Sequence, residues 1–223
     1  MDDTLRFIFS LSISFAVIIG IVRFRRIDSA YYPFIYNTII ALVVEILNRI
    51  LTEGGYPRAF ILVLNIFSYI DFFLFLWLFH NWGLFNRKKS TFISIACVFF
   101  VIWLLNNLLV SHFEAHHTLY FFILYSFALI FFSVNTFNKE VVHERSSIFR
   151  NAKFWICLGV IIFYSFFILV SSTGLSLFTH SNLSVEFRRG LQAISVFSNL
   201  LVNILYAAAV IWIPRKKNFT SLF

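Results

Sequence analysis

Residues 58–80 read RAFILVLNIFSYIDFFLFLWLFH, a run with a basic residue at its first position and one carboxylate, Asp71, near its middle. A helix of about 20 mostly apolar residues crosses the hydrocarbon core of a bilayer, so this stretch predicts a membrane span. Six more stretches of the same kind flank it, at 5–22, 31–51, 91–110, 118–137, 153–176 and 190–213. Their apolar runs are continuous and lack the two-residue alternation of a barrel strand. The expected fold class is therefore all-α, an integral membrane bundle of seven transmembrane helices in a single domain over 1–223.

Composition agrees. Of 223 residues, 60% are hydrophobic and 13% charged, whereas a soluble domain is nearer half apolar and a quarter charged. That excludes a soluble enzyme, a disordered chain and a disulfide scaffold. The interruptions between spans, from RFRRIDS to FTHSNLSVEFRRG, are too short for a second domain. MDDTLRFIF is acidic where a secretory signal would be basic, so the first segment is expected to persist as a span. Cys97 and Cys157 lie inside apolar runs and make neither a disulfide framework nor a metal knuckle.

Basic residues set the expected orientation. One set of alternate gaps holds Arg23, Arg25, Arg26, Arg87, Lys88, Lys89, Lys139, Arg145, Arg150, Lys153, Arg215, Lys216 and Lys217. The other holds Arg6, Arg58, Arg188 and Arg189, with Arg49 left inside a span. Positive-inside asymmetry then puts the N-terminus outside and the C-terminus in the cytoplasm of a multi-pass inner-membrane protein. The net charge of +8 becomes a topology signal and an attraction to anionic headgroups, with no nucleic-acid partner. Trp77, Trp82, Trp103, Trp155 and Trp212 lie mostly near span ends, as interfacial anchors do.

Ionisable groups inside a span are costly and face the bundle interior by default. Glu45, Asn48 and Arg49 share one face of the second helix, with Asn37 two turns earlier. Glu45 and Arg49, four apart in the favourable order, read as a self-neutralising pair or as a device that orients a polar ligand. Asp71 has no basic neighbour on its own helix, and Asn65, Ser68 and Tyr69 lie on adjacent turns. Gln192, Ser195, Asn199, Asn203 and Tyr206 draw a polar stripe along the last helix at a depth that includes Asp71. The stripe reads as helix-packing glue or as a ligand or proton site. Asn106 and Asn107, with Glu45, Asn48, Arg49, Asn65 and Gln192, make the outer third the more polar one and point to a cavity open to the outside.

Other strings carry less. HFEAHH (112–117) has the look of a diiron box but too few histidines accompany it, and orientation places it outside; with His180 it could at most hold zinc. VEILNR (44–49) half-matches the motif of intramembrane prenyl-protein endopeptidases, and HER (143–145) echoes a kinase phosphoacceptor box without an ATP-binding domain. The last helix offers no lysine for retinal. Pro33, Pro57 and Pro214 fall at helix ends, so unbroken helices are expected, against a transporter. No catalytic constellation, metal or cofactor is expected.

With the third helix read as N-I-F-S-Y-I-D-F-F-L-F, the chain resembles small bacterial seven-helix sensor modules that occur fused to, or encoded beside, histidine kinases. Their third helix carries an aromatic followed shortly by a carboxylate, which Tyr69 and Asp71 match. No sensor domain and no kinase lies within these residues. The resemblance implies sensing, with output passed to a separate protein at the cytoplasmic face, where residues 139–153 could dock a partner or lie on the headgroups.

The functional expectation is a receptor-like or accessory signalling membrane protein. Glu45, Arg49, Asn65, Asp71, Asn199 and Asn203 would line an outward-facing cavity for a small-molecule ligand. Its partners would be the lipid bilayer and a cytoplasmic or membrane signalling protein. The alternatives are a ligand-free subunit or scaffold, and a channel or pore-forming effector.

Overall fold

The structure, a computed structural model, describes residues 3–86, 88–111, 119–143, 148–173 and 185–216. Seven helical segments among them are long and apolar enough to cross a membrane: Phe7–Arg26, Ser29–Glu53, Pro57–Asn81, Lys89–Leu109, Leu119–Lys139, Ala152–Ser172 and Ala193–Trp212. Each overlaps one of the seven expected stretches, so the chain is a multi-pass integral membrane protein. Its lipid-facing surface follows from the same composition. Phe15, Ile18 and Val22, Val98 and Val101, Phe127 and Phe131, and Phe197 and Ile204 are all exposed, an apolar area of the kind a bilayer covers.

The first crossing consists of α1, Asp3–Ser10, and α2, Ile13–Arg23. It is followed by α3, Tyr32–Glu53, and α4, Pro57–Asn81. Both open with proline in the first turn, where a missing N–H leaves no bond unmade. Between them Gly55 takes φ +74, a left-handed conformation that glycine adopts without a steric cost. Next come α5, Lys89–Leu105, extended by a π-helical turn at Asn106–Ser111, and α6, Leu119–His143. The bundle ends with α7, Ala152–Ser172, capped by Asn151 accepting from the Lys153 amide at 2.9 Å, and α8, Val185–Trp212.

Six crossings close a ring. In order around it, α2 packs on α3, α3 on α4, α4 on α6, α6 on α7, α7 on α8, and α8 returns to α2. The crossing left out, α5, docks on the outside of α4 and, more lightly, of α6. Its attachment is aromatic: Phe72 stacks on Phe99 with centroids 4.1 Å apart, and Tyr69 packs against Phe100 and Trp103. Where α7 meets α8, Gly159 makes a close approach possible, since a Cβ there would stand 2.5 Å from the Tyr206 ring.

One half of the ring is filled. Ile27, Tyr31, Leu76, Leu78, Phe79, Ile156, Ala209, Val210 and Ile213 form its core, where α2, α4 and α8 end and α3 and α7 begin. At this end Asp28 accepts from the Ala30 amide to start the turn before α3. Ile27 pairs with Arg215 in one antiparallel bridge, flanked by the Asp28 amide on the Pro214 carbonyl at 3.0 Å and the Lys216 amide on the Arg26 carbonyl at 2.8 Å. Arg23 completes the clasp. Its guanidinium donates to the carbonyls of Val210, Ile211 and Ile213, placing a cation on the negative end of α8 and occupying carbonyls that the helix leaves free.

The expectation of unbroken helices is corrected in the first crossing. Between α1 and α2 the chain tightens to three-residue hydrogen bonds, Ser14 amide to Leu11 carbonyl at 2.9 Å and Phe15 amide to Ser12 carbonyl at 3.2 Å. Ser10 and Ser12 turn their hydroxyls back on the Phe7 and Phe9 carbonyls. Serine competing for backbone acceptors distorts a helix without glycine or proline.

Candidate functional site

The other half of the ring holds a cavity of ≈ 460 Å³. Its wall comes from every crossing of the ring and, among the described residues, from no residue of α5. It runs from Asp71, Phe75 and Tyr206 at the floor toward Glu45, Asn48 and Thr173, where α3 and α7 end. This is the end that the sequence marks as the more polar one.

Asp71 organises the floor. It is 6% exposed and belongs to α4. Asn37 of α3 donates from Nδ2 to its Oδ1 at 2.9 Å, and the Tyr164 hydroxyl of α7 donates to its Oδ2. Tyr125 of α6 lines the cavity with it. One carboxylate of α4 thus bonds to α3 and α7, with α6 beside it. Such bonding is what a buried carboxylate needs, because each unmet acceptor carries its full desolvation cost. Asn37, also 6% exposed, keeps its own Oδ1 without a donor, and so does the half-buried Asn48.

The last helix supplies the opposite wall. Asn203, 3% exposed, donates from Nδ2 to the Ser12 hydroxyl at 2.9 Å and, at 3.5 Å, to the Ser10 carbonyl. The distorted stretch of the first crossing therefore faces the cavity and receives the polar stripe of α8. Asn199 and Tyr206 line the cavity beside Asn203, whereas Ser195 is absent from the wall. The Gln192 side chain lies outside the described residues.

Four of the six expected site residues, Glu45, Asp71, Asn199 and Asn203, meet in this cavity. Arg49 and Asn65 do not. Arg49 forms an ion pair with Glu53 at 2.5 Å rather than with Glu45, and its guanidinium lies over the Phe7 ring, 5.3 Å from the centroid. Glu53 is near the helix end and 61% exposed, so pairing there keeps both charges hydrated while the arginine stem stays on apolar surface. Glu45 lines the cavity wall together with Ser10.

Asn65 is fully buried on the α5 side of α4, where the Trp103 indole donates to its carbonyl at 2.8 Å and Ser68 does so at 2.7 Å. Tyr69 likewise points to α5, donating to the Ala96 carbonyl at 3.2 Å. Asn106 and Asn107 start the π-helical turn, with Asn107 bonded to the Trp103 carbonyl at 2.9 Å, and they do not line the cavity. A lone helix face cannot tell a neighbour in the ring from one outside it.

Sequence reasoning does not find Tyr125 and Tyr164 as site residues. Each is one hydroxyl in a chain with 32 Phe and 9 Tyr, and an aromatic at helical spacing carries no sign of which ring bonds a carboxylate. His112, Glu114, His116, His117 and His180, and Glu144 and Arg145 of HER, lie outside the described residues. No group of His, Cys, Asp and Glu among the described residues could hold a metal ion. No family model matches the chain, and neither a curated protein nor a solved structure matches it.

Proposed function

We propose that this membrane protein is a receptor-like or accessory signalling protein, with its cavity open to the outside and its basic end in the cytoplasm. One observation carries the reading: a buried carboxylate, bonded from α3 and α7 and flanked by α6, forms the floor of a cavity that all six ring crossings line. A ligand reaching Asp71 would compete for bonds that hold crossings together. It would shift the ring only through unequal affinity for two arrangements. The opposite end carries Arg25, Arg26, Lys88, Lys89, Arg150, Lys153, Arg215 and Lys216 around the filled half, which suits a cytoplasmic face and an acidic partner there. The kinase-associated sensor modules that the chain resembles would supply such a partner, in a bacterial inner membrane.

The test is a small-molecule screen by thermal unfolding of the purified protein. Stabilisation that disappears with Asp71→Asn is expected. The absence of any stabilising compound, together with full signalling by Asp71→Asn, would count against a receptor. A ligand-free scaffold has one observation in its favour, because Asp71 already has protein partners. It calls for co-purification with one partner that is indifferent to changes at Asp71 and Glu45. The buried apolar core below Asp71 weighs against a channel.

A further inference from the structure

The chemistry of the cavity wall selects among ligand classes, a selection that rests on the proposed role of the cavity as a ligand site. Two carboxylates, Glu45 and Asp71, line the cavity, and among its described lining residues none is Lys, Arg or His. Asp71 accepts from Asn37 and Tyr164, and Tyr125 lines the cavity beside it. A carboxylate offers about four lone-pair sites, so at least one acceptor position is left. Beside it Asn37, which lines the same cavity, has a buried Oδ1 with no donor. The floor therefore offers acceptors and asks for N–H groups. Above it Phe122, Phe163 and Phe167 stand in the wall among aliphatic and polar residues, and aromatic rings attract cations in a desolvated site.

These features separate the ligand classes. An anionic head would meet two carboxylates and no cation. A neutral hydroxyl could satisfy Asn37 but would leave the buried charge uncompensated. A bare metal ion would want about six oxygens around it and would leave most of ≈ 460 Å³ empty. We infer that the cavity takes an organic ammonium ion with an apolar body. Its N–H groups are donated to Asp71 and to Asn37 Oδ1, and its body lies against the phenylalanines. Glu45 is eight residues beyond Asn37 on α3, hence about 12 Å nearer the mouth, where a carboxylate draws a cation inward.

The experiment uses three compounds with one body and different heads, phenylbutylammonium, phenylbutanol and phenylbutanoate, titrated calorimetrically into the full chain in lipid nanodiscs. The ammonium ion is expected to bind about ten-fold tighter than the alcohol, with the carboxylate weakest. Asp71→Asn should bring the ammonium affinity down to that of the alcohol. Ala41→Trp, which fills the cavity from α3, should abolish specific binding of all three. If Asp71→Asn does not fold, Glu45→Gln should weaken the ammonium ion about three-fold and leave the alcohol unchanged; equal effects on both would overturn the assignment. Should the alcohol or the carboxylate bind as tightly as the ammonium ion, with Ala41→Trp blocking it, the ammonium class is wrong and the cavity remains a binding site. If no compound's binding responds to Ala41→Trp, the class and the cavity reading fall together.

Discussion

At the residue scale the molecule is organised by one carboxylate and by the hydroxyl and amide aimed at it. Tyr164→Phe removes the donor to Asp71 Oδ2 while keeping the ring that packs edge-on against Phe75 and Tyr125. A loss of about 1–2 kcal/mol is expected, measured as lower thermal stability of the detergent-solubilised protein, while Tyr69→Phe, whose hydroxyl serves α5, should leave any Asp71-dependent binding intact. Gly159→Ala tests packing alone: its Cβ would displace the Tyr206 ring, and overpacking of this kind costs about 1–3 kcal/mol. Unchanged stability would mean that α7 and α8 part more easily than their fit indicates. Asp71 was legible in the sequence because a carboxylate within lipid has few inexpensive positions. Its tyrosine partner was not, since burying a hydroxyl on an aromatic ring leaves no mark on the hydropathy profile. Arg49 misled for a related reason: a carboxylate lies four residues away on either side, and hydration at the helix end decided for Glu53.

At the element scale, Arg23 links the end of α2 to the end of α8. Arg23→Gln should free the carbonyls of Val210, Ile211 and Ile213, costing about 1–2 kcal/mol and speeding tryptic cleavage at Arg215 and Lys216 several-fold in detergent. Arg25→Gln, at an exposed position, is the charge control and should cleave at the parental rate; equal rates in both variants would deny the clasp. Span limits were readable because length and hydropathy together bound a crossing. The distortion at 11–12 was not. Two serines turn onto backbone carbonyls there, yet Ser68 makes the same three-residue bond inside regular helix, so the residue type alone does not mark the site.

For the whole molecule, the ring and its outlying α5 determine what meets lipid. Cys97 on α5 is exposed and Cys157 on α7 is buried. A nitroxide reagent is therefore expected to label Cys97 alone, and after reconstitution the label should collide with oxygen far more often than with a water-soluble nickel chelate. Strong collision with nickel would place α5 against water and undo the arrangement. Hydropathy reveals how many times the chain crosses but not which crossings are neighbours. The exclusion of α5 from the ring had no counterpart in the sequence, because its apolar residues look the same against lipid as against protein. The contact of α8 with α2 has a consequence for biogenesis. Ribosomal synthesis delivers the second helix long before the eighth, so through most of translation Ser12 and Arg23 wait in the bilayer for mates that have not yet been made. The circle can shut only on arrival of the final segment, which makes a chain stalled ahead of it a ready target for membrane proteases.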